Sequence, residues 1–255
     1  MKTWDLNGQV ALVTGSTKGI GFAIARLLGN LGATVALNGR SSQDTGRVQE
    51  VLDAVKSAKI RTNYYQCNIS SHAEVKSMVG NIVSDFGKID ILINNAGITG
   101  IPKPISELPE EEWDRVIKTD LYGTFFVMKY VLPYMIKQNY GRIVNISSIA
   151  GKEGNPNMVH YCAAKHGVVG LTKSAAREVL EHNIRINAVC PVLIETELLD
   201  GLPEGQVELL KSKIPVGRLG KTEEVADLVA FLVSSEAVNF ITGQAMDLSG
   251  GRADY

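Results

Sequence analysis

Two groups of residues have the types and the spacing to do chemistry. The first is Thr14-Gly15-Ser16-Thr17-Lys18-Gly19-Ile20-Gly21. Glycines at such a turn let backbone N–H groups approach a pyrophosphate, and the N-terminus of a following helix adds partial positive charge. About twenty residues further on, where a carboxylate would bond a ribose 2′-hydroxyl, the chain reads Asn38-Gly39-Arg40. No carboxylate there repels a 2′-phosphate, whereas Arg40 offers a planar fork and Lys18 a point charge. The pattern favours NADP(H) over NAD(H). The second group is Tyr161 with Lys165 four residues later. A free phenol has a pKa of about 10, too high for efficient proton transfer near neutrality. On a helix, a cation four positions away shares a face with the phenol and favours the phenolate, which makes the pair an acid–base device.

These groups need elements to hold them. The valine-rich run Val10 to Val13 suits a buried parallel strand, and the apolar residues Ile20, Ala23, Ile24, Leu27, Leu28 and Leu31 recur at helical steps up to Gly32. The alternation continues through a strand at Thr34 to Leu37, a helix near Gln43 to Lys59, a strand near Thr62 to Gln66, a helix near His72 to Phe86 and a strand at Ile89 to Ile93. A long helix follows within Glu110 to Gln138, then a strand at Arg142 to Ile146, a helix at Ala163 to Glu181 and a strand at Arg185 to Val189. Strands and helices in such short alternation imply an α/β fold, a Rossmann-type doubly wound parallel sheet with helices on both faces. The glycine loop then stands where open α/β sheets bind dinucleotides. The least regular stretch, Pro191 to Gly220, carries a short amphipathic piece around Val207 to Lys213 before a helix near Thr222, and it reads as a substrate lid at about 192–220.

The totals restrict the partners. The 255 residues fit one domain spanning 1–255, and 45% apolar with 21% charged residues is a globular balance. With 26 basic and 27 acidic residues there is no cationic excess for nucleic acid or an anionic membrane. The expected partners are a small-molecule carbonyl or alcohol and further copies of the chain. Cys67, Cys162 and Cys190 are an odd number without CxxC spacing, which argues against a disulfide framework and a zinc site. With no apolar segment of signal-peptide or membrane-span length, a cytoplasmic location is expected.

The glycine spacing is GxxxGxG, and with Asn94-Asn95-Ala96-Gly97 and the Tyr161/Lys165 pair it resembles the short-chain dehydrogenases/reductases over essentially the whole chain. The resemblance implies that Tyr161 is the general acid in carbonyl reduction and the base in alcohol oxidation, and that Lys165 also bonds the nicotinamide ribose. It assigns Ser148, thirteen residues before Tyr161, to polarising the substrate carbonyl, the spacing selecting it over Ser147. It places Asn95, Ala96 and Gly97 against the adenosine side, and matches Pro191, Ile194 and Thr196 to a segment contacting the nicotinamide. It also implies a homotetramer (or homodimer), for which Val127, Val131, Val168, Val169 and Leu171 are candidate contact residues beside their reading as internal packing.

Four positions depart from that family pattern. Asp120 stands where many members have an asparagine that holds a relay water; its carboxylate can accept hydrogen bonds but not donate them. Asn68 replaces an aspartate near the adenine and keeps a similar polar reach. Val192 replaces a glycine and narrows the nicotinamide end, and Ser249 replaces an aspartate with little chemical consequence. Two subfamily likenesses compete. Ile214 to Gly220 and Ile241 to Gln244 look like 3-oxoacyl-carrier-protein reductases and general ketoreductases, whereas Ala150 to Asn157 and the tail from Asp247 look like dehydrogenases of sugar acids or polyols. A non-catalytic dinucleotide sensor is the reading from another class, opposed by the presence of Ser148, Tyr161 and Lys165 together.

Overall fold

The valine-rich run after Gln9 forms strand β1 (Val10–Val13), and its side chains divide by the two-residue period of a strand. Ala11 and Val13 join one apolar cluster, Val10 and Leu12 the other, so both faces of the strand are buried. The same division runs through β2 (Thr34–Gly39), β4 (Ile91–Asn94) and β5 (Gly141–Ile146). With β3 (Thr62–Gln66), β6 (Ile184–Pro191) and β7 (Ala245–Leu248) they make one seven-stranded sheet, in the order β3-β2-β1-β4-β5-β6-β7 and parallel throughout. This computed structural model describes residues 4–43, 45–197, 205–234 and 238–253.

Helices α1 (Gly19–Asn30), α2 (Gly46–Ser57) and α8 (Thr222–Ser234) seal one face through residues such as Ile24, Val51 and Val229. Helices α3 (His72–Phe86), α5 (Gly123–Gln138) and α6 (Val159–Glu178) bring Val79, Val131 and Ala175 to the other. Ser71 caps α3 by accepting from the Glu74 N–H, and Gly87 ends it in the left-handed conformation at φ 81°. The chain winds outward from β1 to β3, then returns to place β4 beside β1. That reversal opens a crevice at the carboxyl ends of β1 and β4, the place where the glycine loop and the Asn94 to Gly97 segment leave the sheet.

The structure shifts several sequence-based boundaries. Helix α6 starts at Val159 rather than Ala163, which puts Tyr161 in its first turn. The long helix expected within Glu110 to Gln138 is α4 (Glu110–Val116), a π turn (Ile117–Tyr122) and then α5. The amphipathic piece near Val207 is the short helix α7 (Gln206–Lys211), while residues 198–204 of the expected lid lie outside the described ones. Strand β7 carried no clear signal, because it is a half-exposed edge strand of four residues. Val127, Val131, Val168 and Val169 are buried within the chain, and Leu171 is partly buried against the cluster that holds Val127 and Val131, which accords with their reading as internal packing. No helix among the described residues is long and apolar enough to cross a membrane.

A buried polar bridge ties the sheet to α6. Asn94 Nδ2 donates to Asn145 Oδ1 at 2.8 Å, and Asn145 Nδ2 donates to Thr172 Oγ1 at 2.9 Å. Replacing Asn145 with Ala leaves the Asn94 amide without its acceptor, and a lost buried partner costs about 1–3 kcal/mol. We expect Asn145→Ala to lower the urea midpoint with an unchanged denaturant slope, read by far-UV circular dichroism.

Candidate active site

The glycine loop is locked before any ligand arrives. Gly15 is left-handed at φ 61°, and a Cβ on it would lie 2.8 Å from Ala96 Cα. A Cβ on Gly21 would meet Asn95 Nδ2 and Gly15 O, both at 2.4 Å, so only glycine lets the first turn of α1 lie this close to its neighbours. Asn95 is spent on the brace: its Nδ2 donates to Thr14 O at 2.9 Å and Gly15 O at 3.1 Å. The backbone N–H groups of Asn95 and Ala96 both donate to Thr14 Oγ1. Ser16 turns inward, where its hydroxyl accepts from the Asn38 N–H at 2.9 Å and its own N–H donates to Asn38 O at 2.9 Å. Thr17, Lys18, Gly19 and Ile20 remain on the partly open rim, with Lys18 exposed. Gly19 faces Thr196 across the cradle, a Cβ on it lying 3.4 Å from the Thr196 methyl. A locked loop at the start of α1, with room left beside Gly19, fits the pyrophosphate of a dinucleotide.

Asn38 does more than omit a charge. It is buried, accepts from the Gly15 N–H at 3.3 Å and donates to Tyr65 O and Cys67 O at 3.1 and 3.2 Å. Arg40, two residues on, is exposed, and among the described residues no carboxylate pairs with its guanidinium. Asn68 Oδ1 accepts from the N–H and hydroxyl of Ser70, which leaves only its amide NH2 for a ligand. Pro191 ends β6, and Ile194 and Thr196 follow on a stem zipped to Gly220: Glu195 N–H donates to Gly220 O at 2.8 Å and Gly220 N–H to Leu193 O at 3.2 Å. Val192 is buried in an apolar cluster with Ile149, Ile214 and Leu219. An unexpected ion pair between Arg47 of α2 and Glu197 joins the two rims of the cleft. Partners that distant in sequence leave no local pattern.

The acid–base group sits at the start of α6. Tyr161 is half-buried, and no described residue hydrogen-bonds its hydroxyl. Lys165 is only 5% exposed, its Nζ 5.5 Å from the Tyr161 ring centroid, 3.1 Å from Ile146 O and 3.3 Å from Asp120 Oδ2. Asp120, 1% exposed, projects from the π turn; its Oδ1 accepts from the Ile98 N–H at 2.8 Å, and its Oδ2 has no hydrogen bond. Burial raises the Asp120 carboxyl above its usual range, against the lowering pull of the Lys165 ammonium. Burial depresses the Lys165 ammonium, but attraction to the Asp120 carboxylate and to the ionised form of Tyr161 outweighs it and the net direction is upward. Lys165 therefore stays cationic at neutral pH and beside the phenol.

The two serines separate by their partners. Ser147 is buried and donates to Lys165 O at 3.0 Å, a link that pins the end of β5 to α6. Ser148 accepts from the Ala150 N–H at 3.1 Å, so its own proton stays available to a ligand beside the first turn of α6. Gly151 allows this approach, since a Cβ there would lie 2.6 Å from Ser147 Oγ and 2.7 Å from Lys165 O. Past Ser148 the rim is charged: Lys152 pairs with Asp247 at 2.7 Å, and Arg252 with Glu153. Glu153 and Asn155 thus engage the tail through Arg252, and Ser249 Oγ accepts from Ala253 N–H to fold that tail. Sequence reading also passed over His160, which is fully buried beside Tyr161 with both ring nitrogens unpartnered.

Comparison with known proteins agrees with this geometry. The family model described as enoyl-(acyl carrier protein) reductase matches residues 15–253. The chain is 42% identical to the 3-oxoacyl-[acyl-carrier-protein] reductase of Thermotoga maritima, over 96% of this chain and 98% of that one. It is 40% identical to the 2-dehydro-3-deoxy-L-rhamnonate dehydrogenase (NAD(+)) of Sphingomonas sp., over 97% and 96%. The crystal structure of a candidate gluconate dehydrogenase from Agrobacterium tumefaciens superposes with a TM-score of 0.91 at 31% identity, over 99% of this chain and 98% of that one. A parallel sheet with its glycine cradle at the reversal, and a Tyr/Lys pair on α6 beside it, together with these matches, place the chain in the short-chain dehydrogenase/reductase family, nicotinamide-dependent oxidoreductases acting on CH–OH and C=O groups.

Proposed function

We propose that this chain is an NADP(H)-dependent ketoreductase for small 3-oxo compounds of the 3-oxoacyl-thioester type. The observation that carries the reading is the partner-free Tyr161 hydroxyl on the same turn as a buried cationic Lys165, with the proton of Ser148 free nearby. The bound nicotinamide supplies or accepts the hydride at the carbonyl carbon. Tyr161 gives its proton to the carbonyl oxygen, Ser148 donates a hydrogen bond to that oxygen as charge develops, and Lys165 stabilises the resulting phenolate. In the alcohol direction each proton moves the opposite way.

Thr17 to Gly21, the Asn95 to Gly97 backbone, Asn68, and Pro191, Ile194 and Thr196 are the residues that would hold the cofactor, and the stretch at about 192–220 is the substrate lid. Its stem closed on Gly220 supports that role. One domain across 1–255 accounts for the single sheet. Self-association as a homotetramer finds support in the exposed aromatics Tyr122, Phe125 and Tyr134 on the outer side of the π turn and α5. Three unpaired thiols fit a reducing compartment such as the cytoplasm.

A second substrate class has its own support. The rim beyond Ser148 is built of Lys152, Glu153, Asp247 and Arg252, which suits a polyhydroxylated acid better than an acyl chain. Two of the compared proteins carry sugar-acid dehydrogenase names.

Three measurements test the proposal. Tyr161→Phe should lower kcat for ketone reduction by about 100-fold or more, and Ser148→Ala by a smaller factor, while cofactor affinity stays within about twofold. Ser147→Ala should instead lower the thermal midpoint; turnover by Tyr161→Phe at the unmutated rate would refute the assignment. Arg40→Ala should raise the KM for NADPH about tenfold and leave that for NADH unchanged; equal effects on both would remove the case for a 2′-phosphate site. Asp120→Asn, read by kcat and cofactor titration, should retain turnover, because the amide oxygen still accepts from Ile98 N–H. A folded, cofactor-binding and inactive variant would show that the carboxylate charge itself is required.

A further inference from the structure

The backbone ladder between β2 and β3 stops at Gly39. It runs from Val35 opposite Thr62 to Gly39 opposite Gln66, and the Cys67 N–H closes it by donating to Gly39 O at 2.9 Å. Among the described residues no backbone N–H reaches the next two carbonyls, yet both are taken: Gln66 Nε2 donates to Arg40 O at 3.2 Å and Tyr64 Oη to Ser41 O at 2.6 Å. Three successive carbonyls, from Gly39 to Ser41, are thus held from the side of β3. The two-residue period of a strand puts Tyr64 and Gln66 on one face. Tyr64 is half-buried and packs on the apolar cluster that α1 and α2 share, while its hydroxyl passes close to Gly39. A Cβ on Gly39 would lie 2.8 Å from Tyr64 Oη and 2.9 Å from the Thr17 methyl, so the bare glycine leaves the phenol its way to Ser41. Burial raises the Tyr64 phenol above its ordinary range, which keeps it a donor at neutral pH. Arg40 and Ser41 are exposed, and water would satisfy their carbonyls equally well. What the two side-chain donors add is position.

We infer that Tyr64 and Gln66 are positioning residues for cofactor choice, clamping the Arg40–Ser41 backbone so that the Arg40 guanidinium is held ready for the 2′-phosphate of NADP(H). The inference rests on the proposed NADP(H) preference. A guanidinium grips a phosphate through parallel N–H bonds, which requires orientation as well as charge. Ordering a loop and a long side chain at the moment of binding subtracts from affinity, and a backbone fixed in advance removes part of that loss. The clamp favours the phosphorylated cofactor because it works through Arg40. The pyrophosphate cradle, which both cofactors share, is braced separately by Asn38, Asn95 and Thr14.

The test is calorimetric titration of the full chain with NADPH and NADH, and with 2′,5′-ADP and 5′-AMP, which carry the adenosine end with and without the 2′-phosphate. Tyr64→Phe deletes the hydroxyl and keeps the ring; the Kd for NADPH and 2′,5′-ADP should rise about fivefold, and that for NADH and 5′-AMP should stay within about twofold. Gln66→Ala should act in the same direction by a smaller factor, and it carries the test if Tyr64→Phe does not fold. In an Arg40→Ala background Tyr64→Phe should have no further effect on NADPH. Equal losses for both cofactors, an NADPH affinity unmoved by both variants, or full additivity with Arg40→Ala would overturn the clamp while the Arg40 contact stands. An NADPH affinity unmoved by Arg40→Ala, or equal binding of 2′,5′-ADP and 5′-AMP by the unmutated protein, would strike the cofactor reading itself and the clamp with it.

Discussion

An ammonium ion withdrawn from water needs compensation on the spot, and in this fold Lys165 is that ion. Desolvating such a charge carries a penalty of several kcal/mol that only close, well-placed partners offset. Two elements supply them to the lysine on α6: β5 offers Ile146 O and the π turn offers the Asp120 carboxylate. Removing one member of such a pair costs about 3–5 kcal/mol, because the other is left charged in the interior. The backbone around the site conforms to this requirement. Gly97 has no Cβ because one would lie 2.8 Å from Asp120 Oδ2, and Gly151 has none because β5 and α6 meet there through Ser147.

The irregular turn between α4 and α5 belongs to the same arrangement. A π turn inserts extra backbone into a helix and changes the direction of its side chains, and such turns gather at functional sites. Here it presents Asp120 inward while Tyr122, one residue past Leu121 on the same turn, faces solvent. An acid in place of an amide puts an ionisable group opposite the lysine, one that burial raises above its usual range while the Lys165 ammonium pulls it down. The same pairing raises Lys165, and Asp120 also interacts electrostatically with His160. Acid–base chemistry and structural integrity thus draw on one buried cluster.

The cofactor end obeys a different constraint, backbone proximity. Asn38, Asn95 and Thr14 use side-chain hydrogen bonds to hold the glycine loop against β2 and the segment after β4. These side chains are engaged as supports, which leaves the loop backbone and the outer residues as its open surface. Arg40 and Lys18 are exposed at the edge of this cradle, with freedom to meet a phosphate. The exposed Arg47–Glu197 pair brings α2 against the stem of the 192–220 stretch.

Periodicity and local turn chemistry determined much of this protein from the sequence alone. Buried strands announce themselves by apolar runs and helices by three- and four-residue steps, and these place the glycine loop after β1 and Lys165 on α6. Local signals fail where partners come from afar or where an element is short. The edge strand β7 has four half-exposed residues and no run to detect, and the start of α6 lies four residues earlier than its apolar pattern suggested. Only the tertiary structure could tell Ser147 from Ser148 by their partners, convert Asn38 and Asn95 into braces, and bury Val127, Val131, Val168 and Val169. The same holds for His160, an ordinary residue in a polar stretch of sequence, whose burial beside Gly100 and electrostatic coupling to Asp120 arise from segments about 40 to 60 positions earlier in the chain. Hydrogen bonds and charge coupling depend on distance in space, and a linear pattern records only distance along the chain.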